Sequence, residues 1–257
     1  MPRFFIDPGS VNGDLVTLSA EESHHALSVM RLKKGDTTDL FDGRGNRFGG
    51  RVVDIKEGRV SVRLEPRAAS AESLKTSPVD ITLAVSVIKP ERMDTLVQKA
   101  AELGAVAIIP VLSDRSVVKL SAERWEAKVA RWRKIALESC KQCGQPSIPV
   151  ISEPRKLKDV LADAAGYDKI LIPTLEVPGA ILGDALGPSE AGRILVLIGP
   201  EGDFTAKEVE LAVSRGARPV SLGPLVLRSE TAALYLLSVL NFYYREVAPR
   251  KDARRSP

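Results

Sequence analysis

Two glycine-bearing loops hold the residues whose types and spacing could do chemistry. The loop Gly199 to Thr205 (GPEGDFT) follows the apolar run Ile194–Ile198 and opens a helix. Thr205 is its N-cap and Glu208 stands three residues on, the spacing of a capping box. The loop Leu222 to Thr231 (LGPLVLRSET) has the same plan, ending in Arg228, with Ser229 as N-cap of an almost wholly apolar helix. In α/β folds ligands bind outside the carboxyl ends of strands, and glycines let backbone N–H groups come close to them. Glu201, an acid between two glycines, and Arg228, a cation at a helix start, suit proton acceptance and anion stabilisation in one shared pocket. The plain alternatives are a tight turn and, for Glu201, an acid that bonds loop N–H groups.

Other constellations are weaker. Cys140 and Cys143 have the C-x-x-C spacing, but they lie at the end of a predicted helix, where the dipole does not favour a thiolate. A zinc site needs about four ligands, and only His24 and His25 remain, far away in the chain, so no metal is expected. Both histidines fall in a predicted N-terminal helix, where packing or RNA contact is the better reading than catalysis. The stretch Asp42 to Gly50 is glycine-rich, yet it lacks the dinucleotide fingerprint and the P-loop lysine. It reads as a hairpin that offers Arg44 and Arg47 to a phosphate backbone.

The elements that must position these residues fall into two regimes. Short alternating stretches (Arg3–Ile6, Leu15–Leu18, Thr37–Phe41, Arg47–Ile55, Arg59–Leu64) predict a small β-rich, barrel-like module. One helix over Ser19–Leu32 interrupts it, with Ser19 and Glu22 at capping-box spacing. The small, polar, proline-flanked run Pro66–Pro78 reads as a linker, which sets domains at 1–72 and 73–257. Beyond it strands and helices alternate: strands near 81–88, 105–112, 148–151, 169–172, 194–198 and 219–222, and helices over 91–103, 121–143, 157–165, 205–215 and 229–246. Continuous apolar strands such as Ile194–Ile198 imply a parallel sheet covered on both faces. The end, 249–257, reads as a frayed basic tail.

The chain has 257 residues, 44% hydrophobic and 27% charged, which argues against a disordered or fibrous chain. It shows no signal-peptide pattern and no apolar run near the ~18 residues of a membrane span. With only two cysteines, it is expected to be a soluble cytoplasmic protein that engages no membrane. The net charge is only +4, but residues 73–155 hold 13 basic and 9 acidic side chains and so carry the whole excess. Trp125, Val129, Trp132, Ala136 and Cys140 form one apolar stripe on the helix 121–143, and Arg124, Lys128 and Arg131 run beside it. Such a basic face marks a phosphate-bearing partner or merely a solvated surface.

The paired loops GPEGDFT (199–205) and LGPLVLRSETA (222–232) resemble the signature of the ribosomal RNA small subunit methyltransferase E family, of the SPOUT class. The likeness spans nearly the whole chain. It takes in Arg3-Phe4-Phe5, His24-His25, Val29 to Arg31, Gly35-Asp36, Asp42-Gly43, Lys89 to Arg92, Gln98 to Gly104, Asp114 to Ser116 and Arg131 to Ile135. The resemblance implies a PUA-like β-barrel followed by an α/β methyltransferase domain with a C-terminal trefoil knot. It further implies S-adenosyl-L-methionine as cofactor, 16S rRNA of the small ribosomal subunit as partner, and a homodimer. The reaction it implies is methylation of N3 of a uridine. By motif position the cofactor would be held by Pro173, Thr174, Gly199, Pro200, Glu201, Gly202, Leu222, Gly223, Leu227 and Ser229. Arg228 and Glu201 would be catalytic. RNA contacts would come from Arg3, Arg31, Arg44 and Arg47 in the first module, and from Arg115, Lys119, Arg124, Lys128 and Arg131 in the second.

Three positions depart from the family pattern: Asp203 stands where a glycine is usual, Ser229 where threonine is, and Gln145 where arginine is common. Asp203 adds a charge beside the pocket. The competing readings are a SPOUT ribose 2′-O-methyltransferase acting on another RNA and a non-catalytic RNA-binding assembly factor. A dinucleotide-dependent dehydrogenase is weaker still, for want of the glycine fingerprint.

Overall fold

A computed structural model describes residues 2–65, 78–116, 121–187 and 192–247. The predicted linker (apart from Pro78), Lys119 and the basic tail lie outside the described residues. The chain divides into two units, Met1–Thr76 with Leu137–Ile148, and Ser77–Ala136 with Pro149–Pro257.

In the first unit β1 (Arg3–Phe5), β2 (Val11–Asn12), β3 (Leu15–Thr17), β4 (Thr37–Phe41), β5 (Arg47–Lys56) and β6 (Arg59–Glu65) form one sheet, in the order β1-β4-β5-β6-β3-β2. Alternation along β4 to β6 turns Leu40, Val52, Val60 and Val62 inward, onto a core shared with Phe4, Ile6, Val16 and Leu18. The helix α1 (Ala20–His24) is shorter than the pattern suggests, because a π-helical turn takes over at His25–Val29. Ser19 does cap it, accepting from the Glu22 amide at 3.1 Å. Glu22 does not reciprocate: its carboxylate is buried and takes a 2.7 Å bond from Lys141 Nζ.

The second unit begins with β7 (Asp80–Ser86), α2 (Pro90–Glu102) and β8 (Ala107–Leu112), then the long α3 (Ala122–Cys143), whose last turns belong to the first unit. Next come β9 (Val150–Ile151), β10 (Arg155–Lys156), α4 (Leu157–Ala162), β11 (Lys169–Pro173), β12 (Ala180–Ile181) and α5 (Leu182–Leu186). The chain then runs through β13 (Arg193–Ile198), α6 (Ala206–Ser214), β14 (Ala217–Ser221) and α7 (Ser229–Phe242). All eight strands pair in parallel, in the order β10-β8-β7-β13-β11-β14-β12, with β9 on β8. The sequence pattern gave no sign of β10, β12 or α5, which are too short to show a period.

Residues Ile194–Ile198 of β13 are fully buried, so both faces of the sheet are covered. On one side Leu195 and Leu197 meet Val160, Leu161, Phe204 and Val209 from α4, α6 and the loop before α6. α7 packs on β7, β13 and α2. Asn241 of α7 donates to the Leu103 carbonyl at 2.7 Å, satisfying one of the acceptors that the end of α2 leaves unpaired. Each such buried aliphatic side chain contributes roughly 1.5–3 kcal/mol, so the centre of this sheet is a rigid base for the loops it carries.

Candidate active site

Three loops follow the carboxyl ends of β13, β11 and β14, strands that are neighbours in the sheet, and parallel pairing brings them to one edge. Their residues line one shared cleft. Pro173, Thr174, Gly199, Pro200, Glu201, Leu222, Gly223, Leu227 and Ser229 line it, and Gly202 and Arg228 do not. Leu175, Ile198, Val220, Leu225, Val226 and Ala232 add apolar wall. The charged side chains among the lining residues are both carboxylates, Glu201 and Asp203.

The first loop is built as its capping residues dictate. Thr205 accepts from the Glu208 amide at 3.3 Å, while Glu208 Oε2 accepts from the Thr205 amide at 2.8 Å, a complete capping box. The other Glu208 oxygen accepts from the Asp114 amide at 2.9 Å, tying this helix start to the segment after β8. Gly199 is required by space: a Cβ there would stand 2.9 Å from Asp203 Oδ1 and 3.0 Å from the Phe204 amide nitrogen. At the second loop α7 begins with Ser229 as its first helical residue, and the N-cap position falls to Arg228, whose side chain makes no capping bond. Ser229 is buried against the cleft and Arg228 is exposed beside it.

Two residues to which the sequence reading gave no role in the site organise this edge. Asp203 has a left-handed backbone (φ 59°) and its carboxylate bonds across to the loop after β11. Arg92, in the first turn of α2, places Nη1 3.4 Å from Glu201 Oε1 and Nε 3.7 Å from Glu230 Oε1. The second oxygen of Glu230 is buried and has no hydrogen-bond partner among the described residues. An acid following glycine in a turn was a signal for Asp203. Arg92 was marked only by its place in the stretch Lys89 to Arg92 that carries the family likeness, because its partners are more than a hundred residues away in the chain.

The basic residues expected to meet RNA have different surroundings. Arg3 donates to the Lys141 carbonyl at 2.9 Å and Arg47 to the Gly144 carbonyl, so both serve the end of α3. Arg115 Nη1 donates to the Gly202 and Phe204 carbonyls and to Glu176. Arg131 pairs with Asp94 through two bonds of 2.8 and 2.9 Å, and the Asp94 bond and charge raise its pKa further. Arg31, Arg44 and Arg124 are exposed and Lys128 is half-buried. Arg31 also has a left-handed backbone, φ 55°. Cys140 is buried, its thiol pushed up to about 12 by desolvation and, secondarily, by Cys143. No group of three or more His, Cys, Asp or Glu side chains that could hold a metal occurs among the described residues.

Comparison with known proteins places this edge in context. A family model described as an RNA methyltransferase domain matches residues 75–241, and one described as an RNA methyltransferase PUA domain matches residues 18–65. The chain is 30% identical to ribosomal RNA small subunit methyltransferase E of Synechocystis sp., covering 93% of this chain and 77% of that protein. It is 29% identical to the Bacillus subtilis protein of the same name, covering 94% and 96%. Among solved structures it resembles the Neisseria gonorrhoeae enzyme of that name bound to S-adenosyl methionine. That match has a TM-score of 0.81 and 30% identity, and covers 95% of this chain and 98% of that one. A Legionella pneumophila protein solved with the same cofactor bound matches with a TM-score of 0.80 and 33% identity, covering 93% and 96%.

Proposed function

Because this chain belongs to the ribosomal RNA small subunit methyltransferase E family, we propose that it methylates N3 of a uridine in 16S rRNA of the small ribosomal subunit, using S-adenosyl-L-methionine. The observation that carries the reading is the three-loop cleft at the carboxyl edge of β13, β11 and β14. Its residues fit the cofactor. Apolar walls from Leu222, Leu225, Val226 and Leu227 suit a purine face, and glycine-bearing loops leave backbone groups free to bond its edge. The two lining carboxylates suit a cation. When bound, S-adenosylmethionine supplies an electrophilic methyl group on a positively charged sulfur.

The chain's own residues then have three tasks. The cleft aligns donor and acceptor, which by itself can lower a barrier by about 7–11 kcal/mol. Glu201, steadied by Arg92, takes the N3 proton of the uracil. Arg228, exposed at the start of α7 next to Ser229, stabilises the negative charge that the departing proton leaves on the base.

The remaining features of the reading concern the whole chain. The domains are read as 1–72, a PUA-like barrel that binds RNA, and 73–257, the methyltransferase domain, except that the segment Leu137–Ile148 goes with the barrel. The insertion of β14 beside β11 supports a knotted C-terminal segment around the cleft. RNA affinity comes from Arg31 and Arg44 in the first unit and from Arg124 and Lys128 in the second. Exposed Tyr235 and Phe242 on α7, with Leu225 and Val226 at the cleft, support a homodimer.

Incubating the protein with labelled S-adenosylmethionine and small subunits from a strain lacking the activity tests this, when followed by mapping of the modified nucleotide. One uridine methylated at N3 is the expected product. Label on a ribose, or no label with the cofactor bound, overturns the reading.

A further inference from the structure

Thr174 and Leu175 begin the loop after β11, and Gly199 to Asp203 form the loop after β13; both loops line the cleft. Asp203 joins them. Its Oδ2 accepts from Thr174 Oγ1 at 2.8 Å and from the Leu175 amide at 2.8 Å, while Oδ1 accepts from the Phe204 amide at 2.7 Å. Thr174 Oγ1 in turn accepts from the Glu176 amide at 3.1 Å, so the hydroxyl relays the tie along its own loop. Arg115 joins the same two loops a second time. Its Nη1 donates to the Gly202 carbonyl at 2.6 Å and the Phe204 carbonyl at 3.3 Å on one side, and to Glu176 Oε1 at 3.0 Å on the other.

The backbone makes the first tie informative. Asp203 has φ 59°, a conformation glycine adopts without strain and most side chains resist. Gly199 opposite has no room for a Cβ, because the Asp203 carboxylate occupies that space. A side chain thus sits where the local geometry favours having none, and its bonds reach the neighbouring loop.

We propose that Asp203 and Arg115 are positioning residues for the cofactor, clamping the loop after β11 to the loop after β13 and so fixing the width of the cleft between them. The proposal rests on the reading of this cleft as the S-adenosylmethionine site. Loops tied before binding occupy the competent arrangement most of the time, whereas untied loops must be ordered by the ligand, which lowers apparent affinity by the competent fraction.

Calorimetric titration of the full-length protein with S-adenosylmethionine tests the clamp. Asp203→Gly suits the position's backbone and removes the ties together with the carboxylate charge; its Kd is expected to rise about tenfold, for a competent fraction near one tenth. Asp203→Asn loses the charge as well but keeps one acceptor oxygen and tolerates the left-handed backbone, so it should fall between Asp203→Gly and wild type. An Asn variant as weak as Asp203→Gly would make the carboxylate's charge rather than its ties responsible and overturn the clamp. Thr174→Val should weaken binding, and adding it to Asp203→Gly should cost little more, because the two side chains share one bond. In steady state the KM for S-adenosylmethionine should rise while kcat at saturation is kept. Asp203→Gly binding as tightly as wild type, or purely additive effects of the two changes, overturns the clamp. Arg115→Ala should also weaken cofactor binding. If it lowers affinity for RNA alone, Arg115 is no part of the clamp. A wild-type protein that binds no S-adenosylmethionine overturns the cleft assignment itself, an outcome distinct from wild-type binding with unchanged variants.

Discussion

Arg228 and Glu201 differ in what surrounds them, and that decides what their removal should do. Arg228 is exposed, caps nothing and does not line the cleft, so truncating it leaves the cofactor's walls intact. Arg228→Ala is therefore expected to lower kcat about 10²–10³-fold with S-adenosylmethionine affinity unchanged, measured by single turnover and calorimetry. Equal loss of both would place it in the binding site instead. Among the cysteines the contrast is burial. Cys140 stays a thiol at neutral pH because its pKa is pushed up to about 12, and Cys143 is exposed. Alkylation of the native protein at neutral pH, read by peptide mass, should label Cys143 and spare Cys140. At this scale Glu201 and Arg228 stood out in the sequence because charges in glycine-bearing loops are locally unusual. Asp203 gave only its charge, since Thr174, which explains it, is 29 positions away.

The end of α3 shows how one element is finished by others. Its apolar stripe is buried at Val129, Trp132, Ala136 and Cys140, as a 3–4 spacing requires. Arg3 from β1 satisfies the Lys141 carbonyl in its last turn, and Arg47 from β5 that of Gly144 just beyond it. Lys141 and Glu22 complete the junction as a buried ion pair, with side chains 8% and 5% exposed. Burial alone would lower the pKa of Lys141, but the bonds and charges of Glu22 and Glu138 outweigh it and hold the ammonium above its ordinary value. The stability this lends is present below the ordinary lysine value and is lost as pH rises through the higher folded one, so it fades only in strong alkali. Lys141→Met leaves the Glu22 carboxylate buried and alone; chemical denaturation should show a loss of about 3–5 kcal/mol. Adding Glu22→Leu should restore most of it. The extent of α3 was legible in the sequence to within a residue, because a long amphipathic period is a local signal. α1 was not, because Glu22 serves Lys141 rather than its own cap and the helix passes into a π turn at His25.

For the molecule as a whole, the net charge of +4 matters less than where charges are free. With Arg3, Arg47, Arg115 and Arg131 bonded to the chain itself, phosphate contacts are expected from Arg31, Arg44, Arg124 and Lys128. Replacing Arg124 and Lys128 by Gln should flatten the dependence of log affinity for RNA on log salt by about 0.9 per lost contact, or roughly 1.8 in all. An unchanged slope would make that face merely solvated. On α7 Leu236, Leu237 and Leu240 are buried while Phe242 is 61% and Tyr235 43% exposed, so the helix is apolar beyond what its own core uses. Phe242→Asp should shift the sedimenting species from dimer to monomer without lowering thermal stability of the protomer; a wild-type monomer would refute the dimer directly. What the sequence determined by itself was whatever short-range periodicity and loop chemistry encode: an alternating first module, a strand–helix succession after it, and two loops with charges beside glycines. Only tertiary structure decided which of those charges remain free. A guanidinium takes its partners by distance in space, and parallel pairing brings together strand ends that lie tens of residues apart in the chain. Arg92 thus came to Glu201, Asp203 to Thr174 and Lys141 to Glu22, none of which a local pattern records.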